Sequence, residues 1–273
     1  MNLTYRTILP SGITSEYVRF YWFLESDHPY THYSMADVCP ELIFHYRGQF
    51  HEILKSGARE LSFVSGLSAP SNSTRKFEIG SGFGIFGTYL YPHAIPLLFN
   101  IPANELTNQM VELDALIPKY GANLEDQILN SSSDEQRIAI VENFIENILS
   151  KTSPPELPVF EALKHVLHAS ESPRVSQLSS DYCLSERQLE RQFYRYTGFA
   201  PKQFIRISRF HRTMQLYGHQ EFNLTDVALA CGYYDQSHFI SDFKQFSALN
   251  PRTYFSGKSP ATLWRDSKEE KTN

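Results

Sequence analysis

Residues 223–246 read NLTDVALACGYYDQSHFISDFKQF. Asn223 is a favourable helix N-cap, and Asp226 stands three residues on, where two side chains can satisfy each other's backbone donors. Val227 and Ala228 form an inward face. Gly232 supplies a turn in which a positive φ costs little, and Asp235 caps a second helix. Along that helix Phe239, Phe243 and Phe246 recur at four- and three-residue steps, the period of one buried stripe, and Pro251 ends it. Gln236, Ser237, His238, Ser241 and Lys244 are left to solvent or a partner. Two short helices joined by a tight turn predict a helix-turn-helix unit.

The same layout occurs upstream. Residues 174–181 predict a short helix with Val175 and Leu178 inward, started by Ser172 as N-cap and Pro173 at the first helical position. A turn follows at Tyr182-Cys183-Leu184. Ser185 and Gln188 then complete a capping box. Leu189 and Phe193 share one face of the second helix, Glu186, Arg187, Glu190 and Arg191 lie elsewhere around it, and Gly198 ends it. Between the units Pro201 opens a third helix running to about Tyr217, roughly 17 residues or some 25 Å. With the widths of the two units added, their second helices would stand about one DNA turn apart, on the order of 34 Å. Each could then enter the major groove, where Arg reads guanine and Gln reads adenine with two hydrogen bonds. Arg206, Arg209 and Arg212 recur every three residues on the third helix, placed either to face phosphates or to pair with acids of the two units.

The first part of the chain has a different period. Aromatic and β-branched runs at 17–24, 41–46, 61–65 and 83–91 alternate with turn signals at Gly57, Gly66, Gly80 and Gly82. They predict a small antiparallel sandwich or barrel of cupin-like form. Gly80-Ser81-Gly82-Phe83-Gly84 lacks the spacing of a nucleotide loop and reads as a hairpin turn. Residues 94–100 and 105–116 suit short helices. Ile138, Val141, Ile145 and Ile148 mark a helix over 134–150 whose stripe suits core better than a dimer seam. Pro154-Pro155 then breaks the chain. The fold class expected is α+β: a β-rich domain over 1–130, a helix and linker over 131–155, a helical domain over 156–257 and a frayed polar tail over 258–273.

Bulk composition says less. The 273 residues carry a formal net charge of -5. Residues 1–172 hold 11 basic against 20 acidic side chains, whereas 173–258 hold 11 against 7. An acidic first part joined to a mildly basic second part suggests two roles. Cys39, Cys183 and Cys231 are too few and too far apart for a disulfide framework or a zinc module, and suit small buried positions. The ten histidines form no metal-ligand spacing, so neither metal nor cofactor is expected. No signal-peptide pattern opens the chain, and the run 17–24 is too short to span a bilayer. A cytoplasmic protein with no membrane partner is expected.

Residues 156–256 resemble the DNA-binding domain of the AraC/XylS family of bacterial regulators. The resemblance rests on Ser185-x-x-x-Leu189-x-x-x-Phe193, Thr197-Gly198-x-x-Pro201 and Arg206-x-x-Arg209. It continues through Asp226-x-Ala228-x-x-x-Gly232-Tyr233-x-Asp235-x-Ser237-His238-Phe239, Phe243-Lys244 and Pro251-x-x-Tyr254. It implies base-facing roles for Arg187, Glu190, Arg191, Gln236, Ser237, His238 and Ser241. Phosphate contacts are expected at Ser185, Arg206, Arg209 and Lys244. Two departures stand out: Ala248 where the family usually has Gly, and Asp242 where a base is common, an acid expected to weaken phosphate contact. The run Pro40-Glu41-Leu42-Ile43-Phe44 and residues 83–94 resemble the sensor domains of the same family. The function implied is a DNA-binding transcriptional regulator and not an enzyme, with a promoter duplex as partner. A small effector, RNA polymerase and a second copy of the chain are possible further partners. The alternatives are a cupin-like enzyme or an interaction protein with a degenerate helix-turn-helix domain.

Overall fold

In the computed structural model, which describes residues 3–151, 157–169, 171–216, 223–256 and 269–271, the β-rich part forms two facing sheets. Its strands are β1 (Leu3–Ile8), β2 (Val18–Ser26), β3 (Tyr30–Ser34), β4 (Glu41–Arg47), β5 (His51–Ile53), β6 (Arg59–Leu61), β7 (Ser65–Ser68), β8 (Arg75–Ile79), β9 (Phe83–Leu90), β10 (Met110–Glu112) and β11 (Glu269–Lys271). One sheet has the order β10-β7-β4-β9-β2-β1-β11 and the other β3-β8-β5-β6. Neighbours run antiparallel except β1 and β11.

The period of two along β4 separates two environments. Leu42 and Phe44 are fully buried on the outer face of the larger sheet, while Glu41, Ile43 and His45 line a cavity. The outer face is covered by α1 (Ala94–Phe99), α2 (Ala103–Leu106), α3 (Leu113–Leu116), α4 (Gly121–Leu129) and α5 (Asp134–Leu149). Val141, Ile145 and Leu149 of α5 join Tyr21, Phe23, Phe44 and Phe86 in one core. The α5 stripe is therefore core. Burying each large apolar side chain there contributes about 1.5–3 kcal/mol.

The helical part comprises α6 (Pro158–His168), α7 (Val175–Asp181), α8 (Glu186–Thr197), α9 (Pro201–Gln215), α10 (Leu224–Ala230), α11 (Gln236–Ser247) and α12 (Pro251–Phe255). Leu189, Phe193, Phe204, Phe210, Phe239, Phe243 and Phe246 form its core, which also takes in Ala36, Val38, Cys39 and Tyr89 of the β part. The halves are therefore fused through a shared apolar interior. Hydrogen bonds across the seam include Ala36 N–H to Phe246 O at 2.9 Å, Thr74 Oγ1 to the same oxygen at 3.0 Å, and His211 Nε2 with Ala36 O at 2.7 Å.

Several expectations need correction. Residues 80–82 make no hairpin, because β8 and β9 belong to different sheets. The run 61–65 is likewise split between the end of β6 and the start of β7. α7 starts at Val175 with Arg174 as its N-cap, so Ser172 and Pro173 precede the helix. Pro251 opens α12 rather than ending α11, which stops at Ala248. Cys183 is exposed at a positive φ of 54°, whereas Cys39 and Cys231 are buried. Residues 269–271 of the tail pair with β1. Pro154-Pro155, Tyr217 and residues 258–268 lie outside the described residues.

Ala248 keeps the helix-ending geometry in spite of its side chain. Its φ is 56°, and its N–H reaches Lys244 O at 3.0 Å. A left-handed conformation costs a non-glycine residue about 1 kcal/mol. Ala248→Gly is accordingly expected to raise stability by about 1 kcal/mol in urea denaturation. A loss on this change would show that the methyl group contributes packing that outweighs the strain.

Candidate nucleic-acid interface

The two second helices, α8 and α11, begin on caps that the local sequence dictates. Ser185 Oγ accepts from Gln188 N–H at 3.2 Å, and Gln188 Oε1 accepts from Ser185 N–H at 2.9 Å. Asp235 Oδ1 accepts from His238 N–H at 2.7 Å. The supporting helix α10 has its own reciprocal cap between Asn223 and Asp226. Tight turns precede each second helix, with Cys183 at φ 54° and Gly232 at φ 76°.

On α8, Leu189 and Phe193 are fully buried. Arg187, Glu190 and Arg191 project from the opposite face with Tyr194 and Arg195, all exposed. On α11, Ser237, His238, Ser241 and Lys244 are exposed and Gln236 is half-buried. The His238 ring stands edge-on to Tyr233 at 5.6 Å. Among the described residues, none of Arg187, Glu190, Arg191, Lys244 and His238 takes part in an ion pair. Both outer faces thus present donors and charge outside the ion pairs of the described residues.

The arginines of α9 have a different position. Arg206 Nη2 lies 2.6 Å from Asp242 Oδ1 and 2.8 Å from Gln245 Oε1. Arg209 Nη2 lies 3.1 Å from Asp242 Oδ2, and its guanidinium stacks 4.1 Å above the Tyr233 ring. Burial, with the Asp242 charge second, pushes the Tyr233 phenol up. Arg212 Nη2 donates to Ser172 Oγ at 2.5 Å. Asp242 itself is only 1% exposed. It is a clasp between α9 and α11, not the surface acid that the sequence suggested. Pairing, not an outward row, is the geometry that the spacing of Arg206 and Arg209 serves here.

Three exposed side chains beside these faces escaped the sequence reading. Tyr194 and Arg195 extend the α8 face by the next helical step after Arg191, a signal the three- and four-residue period offers. Tyr234 is 89% exposed immediately before the Asp235 cap. It fills the variable position of Gly232-Tyr233-x-Asp235 and carries no signal of its own.

The β part meets these helices at their far ends. Thr107, just after α2, packs on Gly198 at the end of α8. His93 stacks on Phe160 at 4.8 Å, and Phe160 meets Tyr196 of α8 edge-on at 5.0 Å. Among the described residues no three His, Cys, Asp or Glu are grouped to hold a metal ion. No described helix is long and apolar enough to cross a membrane.

Comparisons with known proteins match two separate stretches of the chain. Residues 178–257 match the family described as a helix-turn-helix domain. Residues 6–112 match a family described as a domain of unknown function, DUF6597. The HTH-type transcriptional activator RhaS of Escherichia coli is 29% identical over 91 residues, which are 33% of this chain and 33% of RhaS. The match thus spans about a third of the length of these curated relatives. ToxT from Vibrio cholerae superposes with a TM-score of 0.49 at 13% identity, covering 94% of this chain and 98% of ToxT. A Chromobacterium violaceum transcriptional regulator with an AraC-type DNA-binding domain gives a TM-score of 0.35 at 26% identity, covering 37% of this chain and 92% of its own.

Proposed function

We propose that this chain, whose residues 178–257 match a helix-turn-helix domain family, is a sequence-specific DNA-binding transcriptional regulator of the AraC type acting in the cytoplasm. The observation that carries the reading is the pair of capped helices α8 and α11. Their outer faces are exposed and, among the described residues, free of ion pairs, while α9 between them is clasped in place by Asp242.

In this reading Arg187, Glu190 and Arg191 face base edges in one major-groove segment. Gln236, Ser237, His238 and Ser241 do so in a second. Ser185 at the start of α8 and Lys244 on α11 meet phosphates. Arg206 and Arg209 act through Asp242, by holding α11 in register with α8. The β part carries the control, since it shares a core with the helical part and touches the ends of both reading helices.

A duplex selected from a random-sequence library supplies the test. Arg187→Ala and Gln236→Ala should each weaken binding of the full chain by about 1–3 kcal/mol. Affinity should also fall linearly in log–log form with salt, and Lys244→Ala should flatten that slope by about one unit while weakening all sequences alike. Fluorescence anisotropy across a salt series reads both quantities. Binding insensitive to salt and to Arg187 and Gln236 together would refute the interface.

A further inference from the structure

Between the two sheets, and reaching to α9, lies a cavity of roughly 330 Å³, a size that suits one small organic molecule. Strand register orders its wall. Glu41 stands opposite Tyr89, and Tyr89 opposite Phe20. The next row is Ile43, Gly87 and Trp22, and the one after is His45, Ile85 and Leu24. Gly87 has no Cβ, and the Trp22 indole occupies the place where one would be. The ring therefore lies flat on the sheet beside the cavity.

The polar groups in this wall are unevenly served. The Glu41 side chain makes no hydrogen bond or ion pair among the described residues, and it is half-buried in the cavity wall. Burial, with the Asp37 charge second, pushes its carboxyl up to about 8. Trp22 Nε1 is also buried without a partner. Burial lowers the pKa of His32, to about 4, and of His45, so both imidazoles are neutral at pH 7 and do not oppose a cation. No lysine lines the cavity among the described residues, but two arginines do. Arg212, whose Nη2 donates to Ser172 Oγ while Nε and Nη1 have no partner among the described residues, and Arg19 are not among the charges that act on Glu41. Arg19 is stacked on Tyr89 and Tyr91, at 5.3 and 5.8 Å, and donates to the Cys39 thiol. A half-buried carboxyl that lines a cavity without a partner would be stabilised by a ligand that brought positive charge. Aromatic faces beside it favour the same charge.

We propose that the cavity binds a small organic ammonium ion, with its cationic head on Glu41 beside the stacked Phe20 and Tyr89 rings and its apolar body against Trp22, Ile43 and Ile85. The site also has a route to the helical part. Tyr89 Oη donates to Asp37 Oδ2 at 2.7 Å, and Asp37 lies 3.5 Å from His211 Nε2 on α9. Transmission along that route rests on the DNA-binding reading, whereas ligand capture does not.

Calorimetry on the full chain without DNA therefore tests capture by itself. The probes are phenethylamine and two matched molecules, phenethyl alcohol and hydrocinnamate. At pH 7 the amine is expected to bind at least about tenfold tighter than either. Glu41→Gln, which keeps the shape and removes the charge, should abolish that preference without lowering the melting temperature of the empty protein. Glu41 must lose its proton to hold the ammonium, so below pH of about 8 binding should release a proton, seen as heat that varies with the buffer's ionisation enthalpy. This last measurement uses the unaltered chain and holds even if the variant misfolds. Equal binding of the alcohol or the carboxylate, an unchanged preference in a folded Glu41→Gln, binding without proton release at pH 7, or no amine binding at millimolar concentration would each overturn the proposal. Titrating the selected duplex with and without amine then separates the regulatory link: a ligand that binds but leaves DNA affinity unchanged refutes only the route through Asp37 and His211.

Discussion

Asp242→Ala should destabilise the protein by about 3–5 kcal/mol, the usual cost of removing one partner from a buried ion pair. Asp242 is 1% exposed and holds Arg206 at 2.6 Å and Arg209 at 3.1 Å, with those two side chains 28% and 12% exposed. Without the carboxylate, two guanidinium groups are left against Phe246 and Tyr233 with no anion between them. The cost arises from these stranded charges, not from the net worth of the pair. Asp242→Asn should cost less, because the amide oxygen can still accept one of the hydrogen bonds. The denaturation midpoint in urea, with the slope unchanged, reads the difference. A loss below about 1 kcal/mol would mean that the clasp is not formed in solution. The same variant should weaken DNA binding through α11 more than through α8, since the clasp positions α11.

Gly198→Ala should cost about 2–4 kcal/mol. Gly198 ends α8 at φ 78°, where a side chain adds about 1–2 kcal/mol of strain. A Cβ there would overlap Thr107 Oγ1 and meet Ala103 O at 3.2 Å, adding an overpacking cost of about 1–3 kcal/mol. Thr107 follows α2, so the substitution strikes the place where the β part rests on the end of a reading helix. Combining it with Thr107→Ala should recover the overlap and leave the backbone strain. A double-mutant cycle reads that recovery as a coupling energy. Strict additivity would show that the two halves do not touch there.

These two sites show what the sequence discloses and what it withholds. The caps at Ser185, Asn223 and Asp235 were legible because capping is a rule about residues three apart. The Phe239, Phe243 and Phe246 stripe was legible because burial repeats with the helix period. The α+β class followed from the change of period after residue 92. Asp242 was misread because its burial depends on two arginines 36 and 33 residues away, and local pattern cannot tell a buried acid from a solvated one. Gly80 and Gly82 showed that the chain turns, not that it crosses between sheets, because sheet membership is a long-range property. Pro251 was read only as a stop, although a proline at the first position of a helix is equally a start. The outer faces of α8 and α11 were read correctly as faces, since whatever is left over from a buried stripe must point away from the core. Glu41 was legible only as part of the run Pro40-Glu41-Leu42-Ile43-Phe44 and not as a cavity residue, because one acid among alternating apolar residues of a strand suggests the solvent side, yet β4 has its core on one face and the cavity on the other.

The central claim is that one chain reads two adjacent major-groove segments with α8 and α11. Hydroxyl-radical footprinting of the full chain on a library-selected duplex tests it most directly. The expected result is two protected blocks on one face of the DNA, about 10–10.5 base pairs apart, with Arg187→Ala weakening one block and Gln236→Ala the other. Failure to enrich any sequence, or a single block lost equally in both variants, would contradict it.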